Sequence, residues 1–315
     1  MNKQNKTNHL IPTWIDELSK VLLGKKDPIR LVLACFLARG HVLIEDVPGT
    51  GKTLLSKAMA KSLGLKFSRI QFTPDLLPTD VMGLTLFDRK EQEFKFHPGP
   101  LFSDIVLSDE VNRATPRTQS AMLEAMAERQ ITVDGKTHPL SPYFFVLATE
   151  NPIDYEGTFP LPEAQLDRFM VRLDIGYPDE ENEMAMLNAY RIQSPLDHLQ
   201  AVVSKDQIDF MIKEINQVTI SADVQSYIIR LIRSTRTHPR ISLGVSPRGS
   251  LALQHLSMAW AYIQGRDYVL PDDIKELAIP ALSHRLMISV EARIKREKSS
   301  DILQELLEEI PVIQP

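Results

Sequence analysis

The strongest structural signal in the chain is HVLIEDVPGTGKTLLSKAMAKSLG, residues 41–64. It opens with a short apolar run typical of a buried strand, passes through a glycine-rich segment, and continues with Leu55, Met59 and Leu63 at helical spacing. Gly64 then suits the end of that helix, because glycine readily takes the left-handed backbone of a C-terminal cap. This order of strand, loop and helix predicts a phosphate-binding site, since loop N–H groups and a helix N-terminus attract anions.

The loop itself, VPGTGKT, has the residue types that a nucleotide requires. Its two glycines let the backbone turn N–H groups toward phosphate oxygens, Lys52 would reach the β- and γ-phosphates, and Thr53 would offer its hydroxyl to Mg²⁺. The full G-x-x-x-x-G-K-[ST] pattern has glycine where this chain has Asp46, but the flanking strand and helix support the interpretation. The predicted nucleotide-binding residues are Val47, Pro48, Gly49, Thr50, Gly51, Lys52, Thr53 and Leu54.

The first half of the chain predicts an α/β fold. Four further apolar runs, at 67–72, 104–108, 143–148 and 170–175, have the length and composition of strands. Helical patterns lie between several of these runs, and Thr115 before Pro116 suits the start of one helix. Alternation of strands and helices favours a parallel sheet with helices on both faces, so we expect an αβα core around five parallel strands.

The second half predicts helices alone. We place a boundary near residue 178, with an α/β domain at 1–178 and a helical domain at 179–315 in which no convincing strand run occurs. Two inserts interrupt the α/β domain, at 74–100 and 130–142, and both have hairpin patterns. The predicted helices of the second half are 180–191, 206–217, 222–236, 247–264 and 271–281.

Composition restricts the class of protein. The chain has 315 residues, a formal net charge of −5 and one cysteine, Cys35. One cysteine excludes an intramolecular disulfide framework and a multi-cysteine zinc site. The acidic balance makes nucleic acid an unlikely main partner, and the longest apolar run, residues 31–38, is too short to cross a bilayer. We therefore expect a soluble, cytoplasmic protein without a membrane span.

Two polar strand ends accompany the phosphate loop. IVLSDE ends in Asp109 and Glu110, at the edge of a parallel sheet where ligands bind. Asp109 would hold Mg²⁺, and Glu110 would orient the attacking water. The segment ATENP brings Asn151 to the end of another strand, where it could sense the γ-phosphate. Alone, the Asp-Glu pattern is more often a solvated strand end and the Asn-Pro pattern more often a turn, but together with the phosphate loop they indicate one site.

Two arginines complete the set of candidate catalytic residues. Arg168, in LPEAQLDRF, could form a surface ion pair or could be presented to a neighbouring subunit's nucleotide. Arg248, in VSPRGSLAL, lies in the first turn of a predicted helix whose N-cap is Ser246. It could approach a phosphate if the helical domain closes over the site.

These motifs together resemble the MoxR family of AAA+ ATPases. The likeness covers most of the chain, and the segments DEVNRATP and LPEAQLDRF are the most specific. The resemblance implies an ATPase core with a helical lid and a ring, most often a hexamer, with ATP sites between subunits. It implies Lys52 and Thr53 in Walker A, Asp109 and Glu110 in Walker B, Asn151 as sensor 1, Arg168 as arginine finger, Arg248 as sensor 2, and adenine contacts at Leu23 and Gly24.

The resemblance also directs the functional hypotheses. The first is an ATP-driven remodelling or maturation factor, including metal insertion, that acts on client or adaptor proteins, among them proteins with von Willebrand A domains. A chelatase-type motor subunit shares the same ATPase parts. A nucleic-acid motor is a further alternative, but the insert segment DRKEQEFK (88–95) has three basic and three acidic residues and no net charge. A nucleotide-gated scaffold that scarcely hydrolyses ATP is the last.

Overall fold

A computed structural model describes residues 10–151, 158–191 and 193–312. The end of the predicted segment ATENP, Pro152, lies outside the described residues. The helices of the first half are α1 (Leu10–Val21), α2 (Lys26–Leu37), α3 (Lys52–Ser62), α4 (Pro78–Met82), α5 (Pro116–Glu128) and α6 (Glu163–Leu166). Its strands are β1 (Val42–Glu45), β2 (Phe67–Gln71), β3 (Gly83–Asp88), β4 (Glu93–Pro98), β5 (Ile105–Asp109), β6 (Gln130–Val133), β7 (Lys136–Pro139), β8 (Phe145–Glu150) and β9 (Val171–Leu173).

Five strands form the central sheet in the order β2-β5-β8-β1-β9, and all neighbouring pairs are parallel. These are the five strands that the apolar runs predict. Successive residues of β1 enter different apolar clusters, with Val42 and Ile44 on one face and Leu43 on the other. Because side chains alternate along a strand, the sheet is covered on both faces, as expected for a parallel sheet.

The two helices before β1 close one face of the sheet. Trp14 of α1 is fully buried, and its indole Nε1 donates a hydrogen bond of 2.8 Å to Ser62 Oγ at the end of α3. Cys35 of α2 is fully buried and packs as a small apolar residue. Gly64 follows α3 with φ of +60°, the left-handed backbone that its C-terminal cap requires.

Both inserts are hairpins, as predicted. Strands β3 and β4 pair antiparallel, and so do β6 and β7. The second hairpin turns at Asp134 and Gly135, whose φ values of +51° and +75° are those of a tight hairpin turn. The two hairpins contact each other where Phe96 of β4 stacks on His138 of β7, with ring centroids 4.2 Å apart.

The second half is mainly helical, but the prediction that it contains no strands is wrong. A two-stranded antiparallel sheet joins residues 241–243 to 287–288. The sequence signal is absent because such short strands show no period-two pattern. The elements are α7 (Glu180–Ala189), α8 (Pro195–His198), α9 (Lys205–Ile215), α10 (Ala222–Thr237), β10 (Ile241–Leu243), α11 (Pro247–Ile263), α12 (Pro271–Leu282), β11 (Met287–Ile288), α13 (Val290–Ile294) and α14 (Ser299–Glu309).

The helical half packs onto the α/β half through a continuous apolar core. One cluster contains Val32 of α2, Leu253 of α11 and Leu277 of α12. The C-terminal helix α14 joins it through Leu303 and Leu306, so it folds onto the helical half as its amphipathic pattern predicts. A domain boundary near residue 178 stays a prediction. In the described part of the chain, no helix is long and apolar enough to cross a bilayer.

Candidate active site

The phosphate loop joins β1 to α3 and borders a cavity of about 430 Å³. Gly49 and Gly51 have φ of +89° and +98°, a backbone region where other residues are strained. Gly51 is also the N-cap of α3, and no side chain there accepts from the first N–H groups of the helix. These donors therefore suit an anionic ligand at the positive end of the helix dipole.

Lys52 is the cation that the phosphate loop brings to this cavity. Its Nζ donates a hydrogen bond of 2.7 Å to the backbone oxygen of Asp46. Partial burial lowers the pKa of Lys52, while the nearby charges of Asp46, Asp109 and Glu110 oppose that change. A half-buried ammonium group beside the N–H donors of the loop is a good binding partner for phosphate oxygens.

Asp46 takes the place of the first glycine in the phosphate-loop pattern, and the structure gives it a structural role. Its side chain is 7% exposed. One carboxylate oxygen accepts from the N–H of Val47 at 2.8 Å, and the other accepts from the N–H groups of Ile175 and Gly176 at 3.0 and 2.9 Å. The carboxylate thus ties the start of the loop to the segment that follows β9. Nothing in the sequence pattern indicates this link.

Asp109 and Glu110 lie at the ends of the central strands, as predicted. Asp109 Oδ1 accepts a hydrogen bond of 2.7 Å from the Thr149 hydroxyl, which in turn accepts from the backbone N–H of Glu110 at 2.9 Å. Glu110 has φ of +56°, so the chain leaves the strand direction at this residue. Thr149 therefore orients both acidic residues, and Asn151 lines the same cavity two residues later.

Two further cavity residues come from β2 and were missed by the sequence analysis. Arg69 Nη2 donates to Asp109 Oδ2 at 2.6 Å, and Gln71 Nε2 donates to Glu110 Oε2 at 2.9 Å. Arg113 also approaches Glu110, with Nη1 to Oε2 at 3.2 Å. The signal that could have revealed them is alternation: residues 69 and 71 share one face at the carboxyl end of a predicted strand.

The cavity has the oxygen ligands that Mg²⁺ prefers. Thr53 and Asp109 both line it, and a hydroxyl with a carboxylate beside phosphate oxygens is a usual magnesium ligand set. A bound Mg²⁺ would neutralise negative charge on the β- and γ-phosphates. Glu110 lies beside them, where its carboxylate can hold a water molecule for attack.

Some predicted nucleotide contacts do not line the cavity. Thr50 directs its hydroxyl to the carbonyl oxygen of Val47 at 3.3 Å, which stabilises the loop itself. Leu23 is partly buried and Gly24 is exposed, and neither borders the cavity. A side chain at Gly24 would collide with Asn182 of α7, 2.6 Å away, so this turn lies against α7. Adenine contacts at Leu23 and Gly24 stay a prediction.

Arg168 and Arg248 lie together, but away from the phosphate loop of their own chain. Both line a cavity of about 320 Å³ that also contains Arg285. This cavity borders residues 39–41, which precede β1, whereas the phosphate loop follows β1. The four residues of β1 separate the two edges by roughly 13 Å at the usual rise of a strand.

Arg248 thus does not border the cavity of its own phosphate loop, and its contact with a nucleotide stays a prediction. Arg168 is held by a hydrogen bond of 2.6 Å from Nη1 to the Leu123 carbonyl oxygen, while its Nε has no partner among the described residues. Arg39 and Arg129 line the same cavity, so this edge of the molecule is strongly basic. Such a set of guanidinium groups suits an anion supplied by another molecule.

Comparison with known proteins identifies the family of the chain. The family described as "ATPase family associated with various cellular activities (AAA)" matches residues 41–171, and the AAA lid domain matches residues 233–306. The chain is 46% identical to the uncharacterised protein YeaC of Bacillus subtilis over 99% of this chain and 98% of that protein. It is 35% identical to the chaperone MoxR1 of Mycobacterium tuberculosis over 97% of this chain and 83% of that protein. A crystal structure of a Cytophaga hutchinsonii protein superposes with a TM-score of 0.93 at 39% identity, covering 99% of this chain and 97% of that one. This chain belongs to the MoxR family of AAA+ ATPases.

Proposed function

We propose that this ATPase works as a ring of identical subunits, in which Mg²⁺-dependent ATP hydrolysis drives the remodelling or maturation of client proteins. The observation that carries the proposal is the division of the candidate site between two edges of the sheet. Lys52, Asp109 and Glu110 border one edge, and Arg168 and Arg248 border the other. Head-to-tail assembly would bring the two edges of neighbouring copies together.

The proposed reaction is in-line attack of water on the γ-phosphate. Glu110 orients and polarises the water, and Lys52 with the loop N–H groups holds the phosphate oxygens. Asn151, as sensor 1, would lie beside the same phosphate, since it lines the cavity. Arg168 of the neighbouring copy, as arginine finger, would stabilise the charge that develops on the transferred group. Arg248, as sensor 2, would contact the same phosphates from the neighbour rather than from its own helical half.

Helix α7 supports self-association. All ten residues of α7 lie in the described part of the chain, and none of them is buried. Met184 and Leu187 are 58% and 62% exposed. Such a short helix is marginally stable alone, and exposed apolar side chains favour a contact that covers them. Its acidic first turn would complement the arginine-lined edge of a second copy, and a hexamer is the arrangement that we propose.

The first hairpin favours protein clients over nucleic acid. Phe87 and Phe94 are 47% and 72% exposed near its tip. Lys95 lies within 4 Å of the carboxylates of Asp88, Glu91 and Glu93, so its positive charge is locally compensated. A surface that follows a phosphate backbone is normally basic, whereas exposed aromatic side chains suit polypeptide. A nucleic-acid motor is therefore the weaker alternative.

The proposal also includes the class of protein on which the ATPase acts. We infer cytoplasmic clients or adaptors, including proteins with von Willebrand A domains, and metal insertion is one form of maturation that such an ATPase could drive. A chelatase-type motor subunit is the nearest alternative, and a nucleotide-gated scaffold is the furthest. Purification of Glu110→Gln rings with Mg-ATP, followed by identification of the bound macromolecules, distinguishes protein clients from nucleic acid: a recurrent protein client supports remodelling, and bound DNA or RNA contradicts it.

The division of the site is tested by mixing two variants. Arg168→Ala should lower kcat by at least about 100-fold and leave ATP binding unchanged, because it removes only the group supplied to the neighbour. Glu110→Gln should also be inactive. In a random equal mixture, roughly a quarter of the interfaces would pair an intact Glu110 with an intact Arg168 from the neighbouring copy, so activity should return in part.

The control is Arg117→Ala, an exposed arginine of α5 outside both cavities, which should hydrolyse ATP at the wild-type rate. If both catalytic variants assemble normally but the mixture stays inactive, Arg168 does not act across an interface and the proposed ring mechanism is wrong.

A further inference from the structure

The segment that carries Arg168 is held by a buried arginine from the helical half. The side chain of Arg285 is 2% exposed, and Nη1 binds both the carboxylate and the backbone oxygen of Asp167, the latter at 2.9 Å. Nη2 donates to the Phe169 carbonyl at 2.6 Å, and Nε donates to the Ala281 carbonyl at 2.8 Å. One guanidinium group thus fixes the backbone on both sides of Arg168.

The same carboxylate also fixes the helix that carries Arg248. Ser246 is the N-cap of α11, but its hydroxyl makes no cap hydrogen bond with the helix. It donates instead to the two carboxylate oxygens of Asp167, at 3.2 and 3.0 Å. The side chain of Asp167, which directly precedes Arg168, is therefore bonded to Ser246, which lies two positions before Arg248.

His284 adds a third contact to this segment. Its Nε2 lies 3.0 Å from the Phe169 carbonyl oxygen, so the proton is on Nε2 and the ring donates. Burial lowers the pKa of His284 to about 3, which keeps the ring neutral at physiological pH. The two residues His284 and Arg285 thus form one clamp on the segment at 167–169.

The buried ion pair between Asp167 and Arg285 is weak evidence for a role in stability. A buried ion pair often contributes little to the free energy of folding, because desolvation offsets the attraction between its charges. Here the donors converge on two backbone carbonyls and one carboxylate that flank Arg168, and Arg248 is connected to the same carboxylate. Two arginines separated by 80 positions, 168 and 248, are thereby held in one cavity.

We propose that Asp167 and Arg285 are positioning residues that set Arg168 and Arg248 side by side, so that both reach one phosphate group of a neighbouring copy's ATP. This inference rests on the proposed function, because it assumes that Arg168 acts across an interface. It adds that contacts from the helical half determine the position of Arg168 at the interface with the neighbouring copy. A change in the position of α11 would move Arg248 and, through Asp167, the backbone at Arg168.

The test uses Asp167→Asn and Arg285→Lys in the full chain. Each variant should bind fluorescent ATP within about 2-fold of the wild type and lower kcat by about 10- to 100-fold, since small displacements of a catalytic group cost that much. The two effects should not multiply: Asp167→Asn added to Arg168→Ala should lower kcat no further. A mixture of Asp167→Asn with Glu110→Gln should regain part of the activity.

Two controls separate positioning from stability. Asp273→Asn breaks another buried ion pair of the helical half, with Arg266. It should lower the melting temperature but leave kcat within about 2-fold of the wild type. Ser246→Ala removes only the hydroxyl hydrogen bonds to Asp167, so it should fold normally and lower kcat a few-fold, even if Asp167→Asn proves unstable.

The outcomes are distinct. Suppose that Arg168→Ala is inactive, while Arg285→Lys, Asp167→Asn and Ser246→Ala are folded and keep the wild-type kcat. This inference is then wrong, and the proposed function stands. If Arg168→Ala itself keeps the wild-type kcat, the ring mechanism is wrong and the positioning role is wrong with it. Multiplied losses in Asp167→Asn with Arg168→Ala would show that Asp167 acts independently, which also overturns the inference.

Discussion

Glu150 makes the stability of this protein depend on pH in a direction that is unusual for a carboxyl group. It ends β8 and lies directly opposite Glu45 at the end of β1. Burial, together with the charge of Glu45, raises the pKa of Glu150 to about 7, while the charge of Arg172 on β9 opposes this change. Arg172 is already paired with Glu45, at 3.0 Å between Nη1 and Oε2, so its compensation of Glu150 is incomplete.

The sign and size of the effect follow from linkage. A carboxyl group with a raised pKa in the folded state ionises first in the unfolded chain, so stability is lost as pH rises from about 4.5 to about 7. Since a tenfold difference in proton affinity corresponds to about 1.4 kcal/mol, the full penalty above pH 7 is about 3 kcal/mol. Because Glu150 is only partly buried, solvent screening reduces our expectation to about 2 kcal/mol.

The substitution Glu150→Gln removes the titration and keeps the size of the side chain. We expect the variant to be more stable than the wild type by about 2 kcal/mol at pH 8 and equally stable near pH 4.5. Urea unfolding of both proteins at pH 4.5, 6, 7 and 8 measures this difference. Glu124→Gln, at an exposed position of α5, is the matched control and should show a difference that does not change with pH. A pH-independent difference for Glu150→Gln would refute the reasoning.

Two further substitutions test other buried polar groups. Asp46→Asn should lower the free energy of unfolding by about 2 to 3 kcal/mol, because an amide cannot accept from all three N–H groups that the carboxylate binds. Differential scanning calorimetry should show a fall of roughly 5 °C in the melting temperature. The control Asp27→Asn changes a side chain that is 87% exposed and should melt like the wild type. Burial lowers the pKa of His41 to about 3, with Nδ1 accepting from the Val146 N–H at 3.0 Å, so stability should fall as pH decreases from 6.5 by about 3 kcal/mol at pH 4. Urea unfolding of His41→Gln should show a smaller loss over this range, and an equal loss would contradict a role for His41.

Local sequence predicted most of the fold because its elements have strong periodic patterns. The five central strands are short apolar runs with clear ends, and the turn at Asp134 and Gly135 has a residue pair that tight hairpin turns strongly prefer. The pairing of β10 with β11 could not be predicted, since three and two residues carry no periodic signal. Helix α1 was not assigned, although its sequence carries a helical signal: Ile11, Trp14, Ile15, Leu18 and Val21 recur at helical spacing, and all five are buried.

As with the fold, one part of the candidate site could be predicted from local sequence and another part could not. Lys52, Asp109 and Glu110 could be predicted because each directly follows a recognisable strand or loop, and the edge of a parallel sheet brings such residues together. Arg69 and Gln71 were missed because alternation along a strand shows only that they share a face, and it does not show which groups they contact. Their partners come from β5, which is adjacent only in the folded sheet.

The sequence by itself determined the chemistry that depends on neighbours along the chain: a glycine-rich loop before a helix, carboxylates at a strand end, and the family to which these motifs belong. Only the tertiary structure decided which edge of the central sheet each group occupies. It separated Arg168 and Arg248 from their own phosphate loop, brought them into one cavity, and connected them through Asp167 to the buried Arg285. The physical reason is that such contacts join residues about 80 to 120 positions apart, and their geometry depends on the packing of the helical half against the sheet.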